Sequence, residues 1–574
     1  MNRRLFLIAA AVLTTVAVIL AVSGGFRTTV GGLRISMRSP LPIAILAVIN
    51  LVIWFISARK ENAVSRDLEA AWEMFERHSK FVAGIALAST IVAAVFSTRS
   101  ASGADASGYL SQAVAWTDSG FAPVHLDPLA ADLREADDWL TTPLGWRPAD
   151  WSHGFIAGIQ VPTYPPGLPL LMAIPHAIAG IDGATSVVIL STLVAIIATG
   201  LLASQLGGSV AGVIAAVLLA FTPVFLHQSI QPMSDVPVTA AWMLSFMLLA
   251  RRGASLDALA GIACAIAVLI RPNLAPLAVV PLFLARRKRA FSLPVAIAGL
   301  FLAIVQQQWY GSALRSGYGT ADELFALSNV ASNASRYFTW LVATAPVLFL
   351  SVFGFIRLRR DRTTQALFAF VVLVVGSYLV YAVFDDWSYL RFLLPAMAVL
   401  TIFAAVALAA WIERWPIAWR APILFMLLLG VTAYSLSTAR SHDTFKLADQ
   451  LRRVSRVGDF INGNVPDVAV VLSGEQSGSM RYYTHRSILR WEAATPEALT
   501  SAITTLEEEG RSVYVVLDAW ENEPFRKKFS TLPAVSLDWP PVLEAGTSHR
   551  TRLWRLSDRD RFLRGEPLNI IRLP

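Results

Sequence analysis

The feature that most constrains this chain is a succession of apolar runs, each close to the length of about 20 residues that a helix needs to cross the hydrocarbon core of a bilayer. A helix of that kind closes its backbone hydrogen bonds internally, so lipid tolerates it where water does not. The runs fall near residues 5–22, 41–57, 81–97, 185–204, 208–226, 235–250, 255–270, 273–286, 291–309, 340–356, 365–384, 391–411 and 421–438. They predict an α-helical polytopic membrane protein with about 13 transmembrane helices. Hydrophobic residues make up 55% of the chain and charged residues 15%, which excludes an ordinary water-soluble fold. The start, "MNRRLFLIAAAVLTTVAVIL", has the basic end and apolar run of a signal peptide but no small-x-small cleavage site before Gly24, and reads as a retained anchor. A single cysteine, Cys264, leaves no intrachain disulfide and no thiolate metal site.

The formal charge of +8 is concentrated in short links between runs, "ARRG", "ARRKRA" and "RLRRDR", which are topology signals and not a nucleic-acid surface. With these links inside, residues 310–339 and "FDDWSYLR" face outward. Counting "PPGLPLLMAIPHAIAG", 165–180, as a crossing would reverse every later helix. Its prolines at 165, 166, 169 and 175 spoil a lipid-exposed helix, so it is expected as an interfacial or re-entrant segment. The N-terminus is then inside and the C-terminus outside, in a multi-pass protein of the plasma (inner) membrane, with only the link at 23–40 (Arg27, Arg34, Arg38) breaking the charge rule.

Three parts follow: two additional N-terminal helices (1–80), a membrane core (81–439) with a long outer loop at 98–164, and an extracytoplasmic α/β domain (440–574). The loop is acidic and carries tryptophans at 116, 139, 146 and 151, a composition that favours an ordered segment resting at the interface. In the last part strand-like "VAVVLSG" and "SVYVVLDAW" flank helix-like "PEALTSAITTLEEEG".

Candidate site residues gather on the outer side. Asp105 follows the span at 81–97, and Tyr109 and Gln112 at i+4 and i+7 share its helix face; a helix cap would also account for Asp105. Tyr164 stands in "VPTYPPGLPLL". Asp235 opens a helix from its outer end, where capping alone explains a carboxylate. Arg271 lies in "LIRPNLAP", Arg315 and Tyr318 in "YGSALRSGYGT", and Arg391 in "DDWSYLRFLLP" with Asp385, Asp386 and Tyr389. Arginine at a membrane boundary either snorkels or clamps a phosphate. His153, His176 and His227 lack metal-ligand spacing and read as polar fill. "LSGEQSGSM" looks superficially like a phosphate loop but lacks its glycine spacing and lysine.

Taken in order, "GADASGYLSQA", "YPPGLPLL", "QPMSDVP", "LIRP", "YGSALRSGYG" and "WSYLRFLLP" resemble the GT-C superfamily of polyprenyl-phosphate-sugar glycosyltransferases. The branch that looks nearest holds protein O-mannosyltransferases and the aminoarabinose transferase of lipid A, and the resemblance covers residues 81 to about 438. It implies a membrane transferase that moves a sugar from a polyprenyl-phosphate donor to a lipid, glycan or protein acceptor, with inversion and with no nucleic-acid partner. Asp105 would be the catalytic base, and Tyr109, Tyr164, Asp235, Arg271, Arg315, Tyr318 and Arg391 would bind substrate. Because phosphate is already a good leaving group, one base suffices where glycosidases need two carboxyls. This chain departs from the pattern in having Asp105-Ala106 for the usual Asp-Glu, and Tyr164 where the aminoarabinose branch has lysine. A divalent metal, bound in some distant members, would draw on Asp127 and Asp132, although a solvated loop face explains those acids better, and no metal ligand is assigned. Two other readings are a transporter or flippase of lipid-linked sugars, which would want mid-membrane charges and inverted repeats, and a glycan polymerase or ligase.

Overall fold

In the computed structural model, residues 3–574 are described apart from 31–32, 38, 78, 119–124, 127–128, 130–132, 134–137, 150–158, 252 and 254. The chain is mostly helical. Among the described residues seven helices are long and apolar enough to cross a membrane, or up to nine when each of two bent pairs counts as one span. The expected thirteen runs are all apolar, but Asp235–Ala250, Leu256–Ile270 and Pro272–Leu282 are shorter than a full crossing.

Glycine and proline set the breaks. Gly167–Phe221 is one helix of 55 residues only nominally, because Ala179–Gly180 and Gly207–Gly208 leave helical geometry. At the second break the chain doubles back so tightly that a Cβ on Gly212 would stand 1.8 Å from Ser204 Oγ, which is why the expected runs 185–204 and 208–226 are separate. The segment expected to lie apart at 165–180 ends at the first break. The expected run 340–356 is instead two helices, Leu327–Thr344 and Pro346–Leu358, bent by 104°. Pro346 cannot supply the backbone donor that would carry the helix through Ala345.

The bundle interior is built around Trp242, Phe246, Phe370 and Phe403, all fully or almost fully buried. Ile49, Ile53, Ile297, Leu300, Phe353 and Val372 point outward, a band of large apolar side chains suited to lipid. At one end Arg3 and Arg4 of the first helix reach the buried Asp67 of Val64–Arg77, at 2.8 and 2.9 Å, and Trp54 Nε1 donates to the same carboxylate. That ties the two N-terminal helices to the rest of the molecule.

At the other end stands a six-stranded mixed sheet, in the order Ile571–Leu573, Leu543–Ala545, Thr551–Arg555, Val513–Asp518, Val470–Ser473, Ser487–Arg490. Its last three strands are mutually parallel, and Leu447–Asn464, Ser477–Thr484 and Pro496–Glu508 are its helices. One face buries Leu472, Val515, Leu517, Phe525 and Trp554 in the same core as Leu129, Leu133 and Leu140 of the long loop. Arg490 N–H donates to the Leu140 carbonyl at 2.7 Å. Loop and sheet are therefore one packed layer.

Candidate active site

Where that layer meets the bundle lies a cavity of about 1020 Å³, large enough for an extended lipid headgroup. Its polar residues come from segments far apart in sequence. Asp105 stands in the first turn of the helix Gly103–Asp118. Asp235 opens Asp235–Ala250, Arg271 ends Leu256–Ile270, and Arg391 belongs to the 3-10 turn Trp387–Leu393. Each sits at a helix end, where the chain leaves regular structure and a long side chain can turn inward.

These four groups form one alternating array. Arg391 Nη2 donates to Asp105 Oδ2 at 2.7 Å. Its Nη1 is 4.0 Å from Asp235 Oδ2, and Asp235 Oδ1 accepts from Arg271 Nη2. Asp235 is 1% exposed and Arg271 8%, so each charge is tolerable only because of the other. The Asp105 side chain keeps 31% exposure and is the carboxylate open to the cavity. Both guanidinium groups lie over the Phe392 ring, at 5.6 Å for Arg271 and 5.4 Å for Arg391, and Arg391 also lies 5.0 Å from the Tyr389 centroid. These contacts orient the planar forks and limit their hydration. The Tyr378 hydroxyl accepts from Arg271 at 3.4 Å and from Asn273 at 3.1 Å.

Tyrosines complete the wall around the acid. Tyr109 OH donates to Ser234 Oγ at 3.0 Å. The Tyr164 hydroxyl faces Asp105 and favours its charged form, and the Tyr164 ring lies 4.7 Å from that of Tyr109 and 5.7 Å from that of Tyr318. Tyr164 fits there because residue 108 is glycine: a Cβ at Gly108 would stand 2.2 Å from Tyr164 Cε2. Burial alone would push the Asp105 carboxyl up, but the Arg391 charge and the Tyr164 hydroxyl outweigh it and hold it below the ordinary carboxylate value. Burial and the neighbouring Asp105 raise both Tyr109 and Tyr164, so their hydroxyls stay protonated donors.

The structure thus brings Asp105, Tyr109, Tyr164, Asp235, Arg271, Tyr318 and Arg391 together. Arg315 is set apart: Ser316 and Gly317 line the cavity and Arg315 does not. Gln112, on the face expected for Asp105 and Tyr109, is fully buried in the packing behind the wall. His176 bonds Tyr482 at 2.8 Å and His227 bonds Thr444 at 3.2 Å, both away from the acid. Asp127, Asp132 and His153 lie outside the described residues. Among the described residues no three His, Cys, Asp or Glu gather as a metal cluster, and Asp105 and Asp235 are each engaged by a guanidinium.

Residues that the sequence did not single out also line the cavity: Ser234, Tyr378, Phe392 and, from the sheet unit, Glu475. Tyr378 sits in an apolar run and carries no local signal. Glu475 belongs to "LSGEQSGSM", where the only pattern was a failed phosphate loop.

Residues 163–309 match the family model for dolichyl-phosphate-mannose-protein mannosyltransferase, a stretch that holds Tyr164, Asp235 and Arg271 but not Asp105 or Arg391. No curated protein matches the chain in sequence. Among solved structures, ArnT from Cupriavidus metallidurans bound to undecaprenyl phosphate superposes with a TM-score of 0.52 at 11% identity, covering 83% of this chain and 97% of that one. The apo state of the same protein gives 0.51 at 13% identity over the same shares. An Archaeoglobus fulgidus oligosaccharyltransferase tethered with an acceptor peptide gives 0.47 at 14% identity, covering 76% of this chain and 69% of that one. At such identities the likeness to ArnT is one of fold.

Proposed function

We propose that this chain, a membrane protein of the GT-C glycosyltransferase superfamily by fold and by family-model match, transfers a sugar from a polyprenyl-phosphate donor to an acceptor on the extracytoplasmic face, inverting the anomeric carbon, with Asp105 as the general base. The observation that carries the reading is the pairing of a partly exposed carboxylate with a guanidinium on the wall of one large cavity, Asp105 with Arg391, backed by Arg271. One side of that cavity is apolar, formed by Leu302, Ala303 and Val305 of the helix Lys288–Tyr310, and suits an isoprenoid chain.

The step balances on these groups. Asp105 takes the proton of an acceptor hydroxyl or amine as that atom forms its bond to the anomeric carbon. The bond from that carbon to the phosphate oxygen breaks, and its electron pair leaves with the phosphate. Arg391 and Arg271 face the charge that develops there, in a site with little water to screen it. The Tyr164 hydroxyl, facing Asp105, favours the charged form of the base. Undecaprenyl phosphate, bound by the structural neighbour ArnT, is the natural carrier to try first.

The test compares envelope glycolipids and glycoproteins by mass spectrometry in cells with wild-type protein, with Asp105→Asn and without the protein. A mass increment that requires Asp105 is expected. An increment that survives Asp105→Asn would reject the assignment of the base.

A further inference from the structure

We infer that Glu475, a residue of the C-terminal sheet unit, is a positioning residue of the site, fixing the first turn of the helix on which Asp105 stands. Where it concerns sugar transfer, this rests on the function proposed above.

The first N–H groups of a helix have no partner within it. In Gly103–Asp118 they are met from a distant part of the chain: Gly103 N–H donates to Gln476 Oε1 at 3.2 Å, and the Glu475 carboxyl faces the Ala104 N–H, which favours its charged form. Just upstream, Ala101 N–H donates to Tyr483 OH at 2.8 Å. The approach is close on both sides. Gly103 has φ +72°, and a Cβ there would stand 3.3 Å from Glu475 Oε1. A Cβ on Gly478 would stand 2.3 Å from the Leu144 carbonyl and 2.6 Å from Ser107 Oγ.

The capping groups are themselves held. Glu475 N–H donates to Glu521 Oε1 at 3.0 Å, and Gln476 Nε2 donates to Asp518 Oδ2 at 2.9 Å. Asp518 is in turn paired with Arg453 at 3.1 Å. A chain of short polar contacts therefore runs from the sheet to a point two residues from the carboxylate of Asp105. Burial, together with Glu521, Glu492 and Asp518, pushes the Glu475 carboxyl up to about 7, so near neutral pH it is often uncharged and its part can be played by an amide.

The experiment uses the full chain in lipid nanodiscs and in cells lacking their own copy, with Glu475→Ala and Glu475→Gln. The readouts are amide hydrogen exchange over residues 100–107, binding of undecaprenyl phosphate, and the envelope product described above. Glu475→Ala is expected to speed exchange and to lower product formation about 100-fold, the scale of a small misplacement of a catalytic group. Glu475→Gln, which keeps an oxygen acceptor against the Gly103–Ala104 turn, is expected to restore both exchange and product. Normal exchange and product in Glu475→Ala, or a Glu475→Gln as poor as the alanine variant, would overturn the inference. A wild-type chain with no product and no affinity for undecaprenyl phosphate would instead reject the transfer reading, and the exchange data would still decide the role of Glu475.

Discussion

Arg391 holds Asp105 at 2.7 Å while standing 4.0 Å from Asp235, so the partly exposed carboxylate and a largely buried guanidinium of the cavity wall occupy each other. On the proposed transfer reaction, a donor phosphate would compete for the same fork. Bound to Arg391, it would remove the charge that depresses the Asp105 pKa and make Asp105 a stronger base. Donor binding and base activation would then be one event.

That competition makes Asp105→Asn more than a loss of activity. The amide is a weaker partner for arginine, so undecaprenyl phosphate should bind about tenfold more tightly, equivalent to about 1.4 kcal/mol, while transfer falls about 10²–10⁴-fold, the share of a general base. Equilibrium binding in nanodiscs checks the first and product formation the second. Weaker binding would show that Asp105 does not compete with the donor.

The three arginines should separate. Arg391→Ala is expected to abolish donor binding with the protein still folded. Arg271→Ala strands the buried Asp235 and should cost about 3–5 kcal/mol of stability besides. Arg315→Ala, outside the cavity wall, should leave binding of undecaprenyl phosphate unaltered. Binding isotherms together with apparent melting temperatures distinguish the three, and a binding loss confined to Arg315→Ala would put the phosphate elsewhere.

Gly108→Ala tests the tyrosine wall. The added methyl would enter the space of the Tyr164 ring and meet Gly145 Cα at 3.0 Å. An overpacking cost of about 1–3 kcal/mol is expected, with Tyr164 displaced from Asp105 and transfer reduced. Thermal unfolding and product yield should fall together.

Glu475 and Glu521 are both pushed up to about 7 from an ordinary value of 4.5, burial being the first cause for each. The folded chain therefore holds protons that the unfolded chain releases, and stability should decline as pH rises from about 5 through 7. Asp105 acts in the opposite sense: its depressed value adds stability above the ordinary carboxylate range, lost as pH falls below it. Apparent melting temperature measured from pH 5 to 8 should drop, and Glu475→Gln should flatten the slope.

Much of this was legible in the apolar runs. Their spacing located most of the long helices, and the gap between the runs 185–204 and 208–226 falls where the structure reverses at Gly207–Gly208. The break at Ala345–Pro346 was not legible, because the apolar run continues across it and only the proline speaks against it. For the site, each polar residue could be read at a helix end, but not which would meet. The Asp105–Arg391 contact spans 286 residues of sequence, and Arg315 looked locally as good as Arg391. Glu475 escaped because its meaning lies in what docks against it, and a short Gly-Glu-Gln-Ser segment announces nothing of that.

The shared core of the loop and the sheet has a consequence for biosynthesis. Gly103 waits for a partner 373 residues further along, and Leu129 and Leu140 have no complete apolar shelter until the strands Val470–Ser473 and Val513–Asp518 exist. Such long-range contacts form late. During translation the helix carrying the acid is therefore unanchored, and a ribosome that stops early releases a membrane anchor without a working centre.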